Sequence, residues 1–177
     1  MAQQDVRYFL NGMLIEKNSN SLRCVATDGH RLAMNHFELD QTATGPESQV
    51  IVPRKGVLEL QRLLSDSEED VVLALGASHL RLSVGAYQLT TKLVDGRFPD
   101  YERVIPRNGD KQILANKQDL RRALNRTAIL SNEKFRGIRV NFSDGLVTLT
   151  TNNPEQEDAE ETVPTEYTGA ALEIGFN

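Results

Sequence analysis

Asp28 and His30 stand two residues apart in the run Thr27-Asp28-Gly29-His30-Arg31-Leu32. A carboxylate and an imidazole of this kind serve elsewhere as orienter and general base, so a nuclease or hydrolase pair is one chemistry to consider. Residues two apart across a tight turn rarely orient in that way, and no nucleophile lies nearby in the chain. The acidic run Glu155-Gln156-Glu157-Asp158-Ala159-Glu160-Glu161 raises a second possibility, a divalent metal site. It lies in a strand-like region, where alternate residues face opposite ways, so its carboxylates cannot all converge on one ion. His30, His36 and His79 lack metal-ligand spacing, and no P-loop, GxGxxG or HExxH occurs. Cys24, the lone cysteine, excludes an internal disulfide and a cysteine cage, and reads as a small buried hydrophobe in a reducing cytoplasm. The residues therefore point to no catalytic group, no metal and no cofactor.

The elements around these residues are those of an ordinary globular chain. With 177 residues, 39% hydrophobic and 25% charged, it can bury one or two cores and is neither disordered nor membrane-bound. The longest apolar runs, such as Val71–Leu75, are far too short to span a bilayer, and the N-terminus lacks the order of a signal peptide. Imperfect alternation predicts strands at Gly12–Lys17, Leu22–Thr27 and His30–Phe37. The last two flank Asp28-Gly29, a strong hairpin signal for a type I′ turn with φ > 0 at both central positions. Residues 2–10 are ambiguous between a strand and the end of a helix. Val50–Pro53 is extended, because a residue before proline avoids the α region. A helix is predicted from about Arg54 to Leu64, with Val57, Leu60, Leu63 and Leu64 on one side. Strands are predicted at Val71–Leu75, His79–Val84 and Tyr87–Leu93. Residues 94–110, broken by Gly96, Pro99, Pro106 and Gly109, read as a loop and linker. Gln112–Ala115 is extended, and a helix capped by Asn116 runs to about Leu130, with Leu120, Ala123, Leu124 and Thr127 as its stripe. Strands follow at Gly137–Phe142, Leu146–Thr151, Asp158–Pro164 and Ala170–Phe176.

The two halves share a grammar: a short strand, a polar cap, an amphipathic helix, then antiparallel strands. This is an α+β design in which each helix covers one sheet face and turns its polar side to solvent. The net charge of −5 is unevenly spread: residues 111–139 carry eight Lys/Arg against two acids, and residues 140–177 carry eight acids and no base. A cationic face beside an anionic one can meet two different partners, and basic residues on adjacent helices suit a phosphate backbone.

Five collinear segments then carry a resemblance. Thr27-Asp28-Gly29-His30-Arg31-Leu32, Val52-Pro53-Arg54-Lys55-Gly56, Lys92–Tyr101 (KLVDGRFPDY), Ile129–Gly137 (ILSNEKFRG) and Asn152–Glu157 (NNPEQE) resemble the beta subunit of bacterial DNA polymerase III, the sliding-clamp family. They span nearly the whole chain. The resemblance implies the DNA clamp fold, with helices on one face and sheets on the other. It implies residues 1–109 as most of the middle of three domains, without its opening strand and much of its first helix. Residues 110–177 would be the first half of the last domain, so that this chain alone could not close a ring. It further implies a non-catalytic processivity factor, a homodimer at full length that encircles duplex DNA without sequence preference. Its partners would be the polymerase III catalytic subunit, the clamp loader and repair proteins, bound through short linear motifs.

Carried over residue by residue, the peptide cleft comprises Leu10, Thr27, Gly29, His30, Arg31, Leu32, Pro99, Arg103, Val104 and Asn177. Leu10, Leu32, Pro99 and Val104 would form an apolar socket, with Arg31 and Arg103 at its rim. DNA-facing residues would be Gln4, Arg7, Tyr8, Lys55, Arg62, Arg121, Arg122 and Arg126. The dimer edge would hold Ile129 and Leu130, flanked by Arg126 and Lys134, with Glu155, Glu157, Glu160 and Glu161. Two other readings stay open from the residues alone: a metal-dependent nuclease and an interaction domain with no DNA role.

Overall fold

The computed structural model describes residues 1–177 apart from Gln41, Asp66, Ser67 and Asn108; Asn108, inside the expected linker, thus lies outside the described residues. The chain divides into two compact units, Met1–Val104 and Ile105–Asn177. The division falls inside the expected linker, before the 109/110 boundary that the resemblance implied.

In the first unit, β1 (Gly12–Lys17) pairs antiparallel with β2 (Ser21–Thr27) on one side and β4 (Ser48–Pro53) on the other, and β3 (Leu32–Glu38) extends the sheet beyond β2. Ile15 faces Cys24 across one ladder and Val50 across the other. A second sheet of β5 (Val71–Leu75), β6 (His79–Val84) and β7 (Tyr87–Lys92) meets β4 through an antiparallel bridge between Ile51 and Val94. Helix α1 (Arg54–Leu64) starts directly after Pro53, whose fixed φ suits a helix entry. It buries Gly56 and Leu60. A Cβ at Gly56 would lie 2.9 Å from Thr91 Oγ1 and 3.2 Å from Val52 Cγ1, so the missing side chain is what lets the helix approach the strands. The core under it is Ile15, Val52, Leu60, Leu80, Leu82 and Val84. Each such side chain contributes about 1.5–3 kcal/mol on burial.

In the second unit, α2 (Lys117–Ile129) packs on β10 (Leu146–Asn152) and β11 (Asp158–Glu166). The sheet order is β12-β9-β10-β11-β8, with β8 at Leu114–Ala115, β9 at Ile138–Ser143 and β12 at Leu172–Phe176. Asn116 caps α2 as the sequence suggests: its Oδ1 accepts from the Gln118 and Asp119 amides at 2.9 and 3.2 Å. The predicted stripe is the buried one, with Ala123 over Val140, Val147, Leu149 and Val163. Thr127 is also buried there, and its hydroxyl donates to the Ala123 carbonyl at 2.9 Å.

The repeat is present in both units as strand, helix and antiparallel strands. Two local readings need correction. Residues 2–10 form neither strand nor α-helix but bends leading into a 3-10 turn at Tyr8–Asn11. The hairpin at Asp28-Gly29 exists, but Thr27 pairs with Leu32, so four residues connect the strands. Only Gly29 there has positive φ, +91°, which rules out a type I′ turn. Among the described residues, no helix is long and apolar enough to cross a membrane.

Candidate functional site

The connection between β2 and β3 is held by side chains. Asp28 Oδ1 accepts from the backbone amides of His30 and Arg31, each at 3.1 Å, and Oδ2 accepts from Arg31 Nε at 2.9 Å. These bonds, the backbone amides first, hold the Asp28 carboxyl far below the usual carboxylate range. Thr27 Oγ1 donates to the Arg31 carbonyl at 2.8 Å and accepts from the Gly29 amide at 3.1 Å. With both oxygens of Asp28 committed to the turn, it does not orient the His30 ring, so the geometry opposes an Asp28–His30 acid–base pair. Gly29, His30 and Arg31 face solvent, while Leu32 is half-buried.

A strap of residues 5–11 lies against this turn. A Cβ at Gly29 would stand 3.1 Å from Arg7 Nη2. The Arg7 guanidinium is itself gripped by Asp5, with Nε and Nη2 donating at 3.0 and 2.8 Å. Side-chain and backbone bonds from Arg7 lower the Asp5 carboxyl to about 2. Asn11 closes the strap through reciprocal bonds with the Asp5 backbone, each 2.9 Å. The next residue, Tyr8, leans on a second glycine: its hydroxyl would be 3.2 Å from a Cβ at Gly96, where φ is +113°. Arg7 and Tyr8, expected among the DNA-facing residues, are therefore neighbours of the β2–β3 turn and of the segment after β7. Leu10 is 2% exposed and so backs this region from the core rather than forming an open wall.

The segment after β7 alternates buried and open residues. Phe98 and Tyr101 are buried and meet edge to face, 6.5 Å between ring centroids. Pro99, Arg103 and Val104 are exposed, Val104 by 69%. Arg103 Nε reaches Asp100 Oδ2 at 2.7 Å. Within the first unit the strap touches the Thr27–Leu32 turn through Arg7 and Gly29, and touches the segment after β7 through Tyr8 and Gly96. Asn177 belongs to the second unit, where its amide donates to the Phe135 carbonyl at 2.7 Å.

On the helices, Lys55 and Arg62 are exposed on α1, with Arg62 paired to Glu59 at 2.9 Å. On α2, Arg121 and Arg122 are exposed, and Arg122 approaches Asp119 at 3.7 Å. Arg126, expected to face DNA and to flank the dimer edge, is paired across to β11. Its Nε and Nη2 grip both oxygens of Glu161 on β11 at 2.5 and 2.8 Å. Gln4 is exposed, with a positive φ of 58°. At the end of α2, Ile129 is 77% exposed and Leu130 is half-buried. Lys134 Nζ sits 5.2 Å from the centre of the exposed Phe135 ring. Residues 153–157 form the other bank of a depression of about 600 Å³ here. Glu155 and Glu157 lie exposed in the turn before β11; along β11 itself Glu160 is exposed while Glu161 turns to α2, as strand alternation requires. Among the described residues, no three potential ligands gather for a metal.

Two family models account for the chain from end to end: the DNA polymerase III beta subunit central domain over residues 1–100 and its C-terminal domain over residues 102–177. The chain belongs to the DNA polymerase III beta subunit family. The beta sliding clamp of Pseudomonas aeruginosa is 59% identical over 177 residues, covering 100% of this chain and 48% of that protein. A crystal structure of the Pseudomonas aeruginosa sliding clamp bound to griselimycin matches with a TM-score of 0.91 and 59% identity, over 100% of this chain and 48% of that one. The griselimycin-bound clamp of Bartonella birtlesii matches at 0.87 and 41%, over 99% and 48%. The chain spans about half the length of the curated relatives it matches. The α+β clamp fold expected from the motifs is the fold observed.

Against that family background, Tyr101 and Phe135 have no role assigned by the sequence, and Asp28 reads there only as a partner of His30 and as part of a turn signal. Asp28 lies inside the TDGHRL motif yet carries the turn rather than facing outward. Tyr101 reads as one aromatic among several, and only its non-local bonds to β1 and β2 give it weight. Phe135 joins Ile129 at the edge of α2; its place in the Ile129–Gly137 motif was the available signal.

Proposed function

We propose that this chain serves as part of a ring-shaped, non-catalytic processivity clamp in the cytoplasm. The clamp encircles duplex DNA and tethers the replicative polymerase and other partners through short peptides. Residues 1–109 act as the middle domain of the clamp subunit and residues 110–177 as the first half of the last. The reading rests on one observation: both family domains match in order along the whole chain. Exposed bases on α1 and α2 suit loose, sequence-independent phosphate contacts. The exposed Ile129 and Phe135 at the end of α2, rimmed by Lys134 and acidic residues, suit a subunit edge of the homodimer.

The docking site is Leu32, Pro99 and Val104, rimmed by Arg31 and Arg103. Its ligands are short apolar peptides of the polymerase, clamp loader and repair proteins, and griselimycin, which two relatives bind, is a practical probe. Titration of labelled griselimycin into the 177-residue chain, read by anisotropy, is expected to show weakening in Leu32→Ala combined with Val104→Ala. With two exposed or half-exposed aliphatic anchors shortened, at ~0.8 kcal/mol per methylene removed from the contact, the loss is roughly tenfold or more. Unchanged affinity in that double variant refutes the site.

A further inference from the structure

Tyr101 is 6% exposed, yet its hydroxyl is not left in an apolar setting. It donates to Glu16 Oε2 at 2.5 Å and accepts from Arg23 Nη1 at 2.9 Å. Glu16 on β1 and Arg23 on β2 are cross-strand partners in register, with 3.5 Å between guanidinium and carboxylate. Gln49 on β4 satisfies the other oxygen of Glu16 at 2.7 Å, and Glu102 adds a second carboxylate 3.4 Å from Arg23. Three adjacent strands therefore present a prepared polar socket, and the phenol inserts into it from far along the chain. Burial, then the bond to Glu16, pushes the Tyr101 hydroxyl up from its ordinary value, so it stays a donor at neutral pH.

Between β7 and Val104 the chain has few other ties. Val94 bonds to Ile51 through the backbone at 2.8 Å, and Arg103 bonds within its own segment to Asp100. Among the described residues, side-chain hydrogen bonds from residues 95–104 to the strands all run through Tyr101 and Glu102. Pro99 and Val104 flank that anchor on either side and are exposed.

We propose that Tyr101 is a positioning residue of the docking site: its hydroxyl, inserted between Glu16 and Arg23, latches the Phe98–Val104 segment to the sheet and so fixes where Pro99 and Val104 meet a peptide. This role rests on the docking reading given above. A buried polar group is costly without its partners and directional with them, which makes such a socket a better register device than apolar packing alone.

Tyr101→Phe tests the latch, because it keeps the ring and its contact with Phe98 and removes only the hydroxyl. In the 177-residue chain, hydrogen exchange at the amides of residues 98–104 should quicken, while amides of β6 and β10 exchange as before. Griselimycin affinity should fall about three- to tenfold, the span that one hydrogen-bonded group typically controls. Glu16→Gln retains an oxygen for the hydroxyl and should restore near-native exchange and binding, whereas Glu16→Leu should behave like Tyr101→Phe. Unchanged exchange at 98–104 overturns the latch. Faster exchange with unchanged affinity overturns the positioning role, provided Leu32→Ala with Val104→Ala still weakens binding. If that double variant is also silent, the docking reading has failed and the role of Tyr101 in it fails too, while the exchange data alone would still record the latch.

Discussion

Alanine at Gly29 separates two costs that the β2–β3 turn combines. The first is backbone: φ is +91°, and an L-residue held in the left-handed region loses about 1–2 kcal/mol. Alanine also restricts the unfolded chain, which returns about 0.4–1 kcal/mol, so the net backbone cost is about 0.5–1 kcal/mol. The second is steric. The new Cβ would be 3.1 Å from Arg7 Nη2 and 3.4 Å from Nη1, so the Arg7 guanidinium, held by Asp5, must give by a few tenths of an ångström. Gly45 supplies the control, since its φ is +78° and nothing lies within 4 Å of a Cβ there.

Gly45→Ala should therefore lower the melting temperature of the first unit by about 2–8 °C, taking 4–8 °C per kcal/mol for a unit of this size. Gly29→Ala should fall further, because it carries the same backbone cost and displaces Arg7 as well. In an Arg7→Ala background the extra deficit should vanish and the two glycine variants should melt alike. Calorimetry on the 177-residue chain reads the parent, Arg7→Ala and the two glycine variants in each background, six proteins in all. Equal melting of Gly29→Ala and Gly45→Ala, or a deficit that Arg7→Ala does not relieve, would refute the strap-on-turn geometry.

Acid should loosen the same region. Asp5 is held at about 2 against an ordinary 3.8, and Asp28 is lowered in the same direction. Carboxyls depressed in the folded state contribute stability above their unfolded value that is lost as pH falls through the folded one. Exchange at residues 28–31 should thus quicken from about pH 4 down toward 2, and Asp5→Asn should flatten that part of the profile; a profile identical to the parent's counts against the Arg7–Asp5 grip. Glu161→Gln removes the charge that occupies Arg126, so retention on duplex DNA should rise and its salt slope steepen by about one phosphate contact. A slope equal to the parent's would show that Arg126 does not reach DNA even when released.

Regular elements were legible in the chain because local signals and tertiary packing agreed. The α2 stripe of Leu120, Ala123, Leu124 and Thr127 is the face turned to the sheet, and Asn116 caps where its side-chain chemistry dictates. Pro53 marked both the end of β4 and the start of α1. What escaped was set by long-range polar contacts, which leave no periodic trace. An Asp-Gly pair suggests a two-residue turn until Asp28 spends its carboxylate on two amides and one guanidinium and widens the connection to four residues. The contacts of Arg7 with Gly29 and of Tyr8 with Gly96 likewise left no periodic trace in the sequence. Leu10 has the type of a socket residue and the burial of a core one.

The opposed charge runs on either side of residue 140 look like two independent surfaces when read along the chain. Among the described residues they are joined by two ion pairs, Arg126 with Glu161 and Arg139 with Glu173. Strand alternation along β11 leaves Glu160 in solvent and turns Glu161 back toward α2, where it meets Arg126 through two parallel bonds. A bidentate pair of this kind holds both side chains in one geometry. The cationic face of α2 therefore narrows to Lys117, Arg121 and Arg122 near its start, while the last turn is left nearly neutral and oily around Ile129. That gradient along a single helix matches what two adjoining tasks require. Loose phosphate contact needs mobile, unspent charge, whereas a protein–protein edge needs charge already neutralised around an apolar centre, since an unpaired guanidinium there would be costly to desolvate.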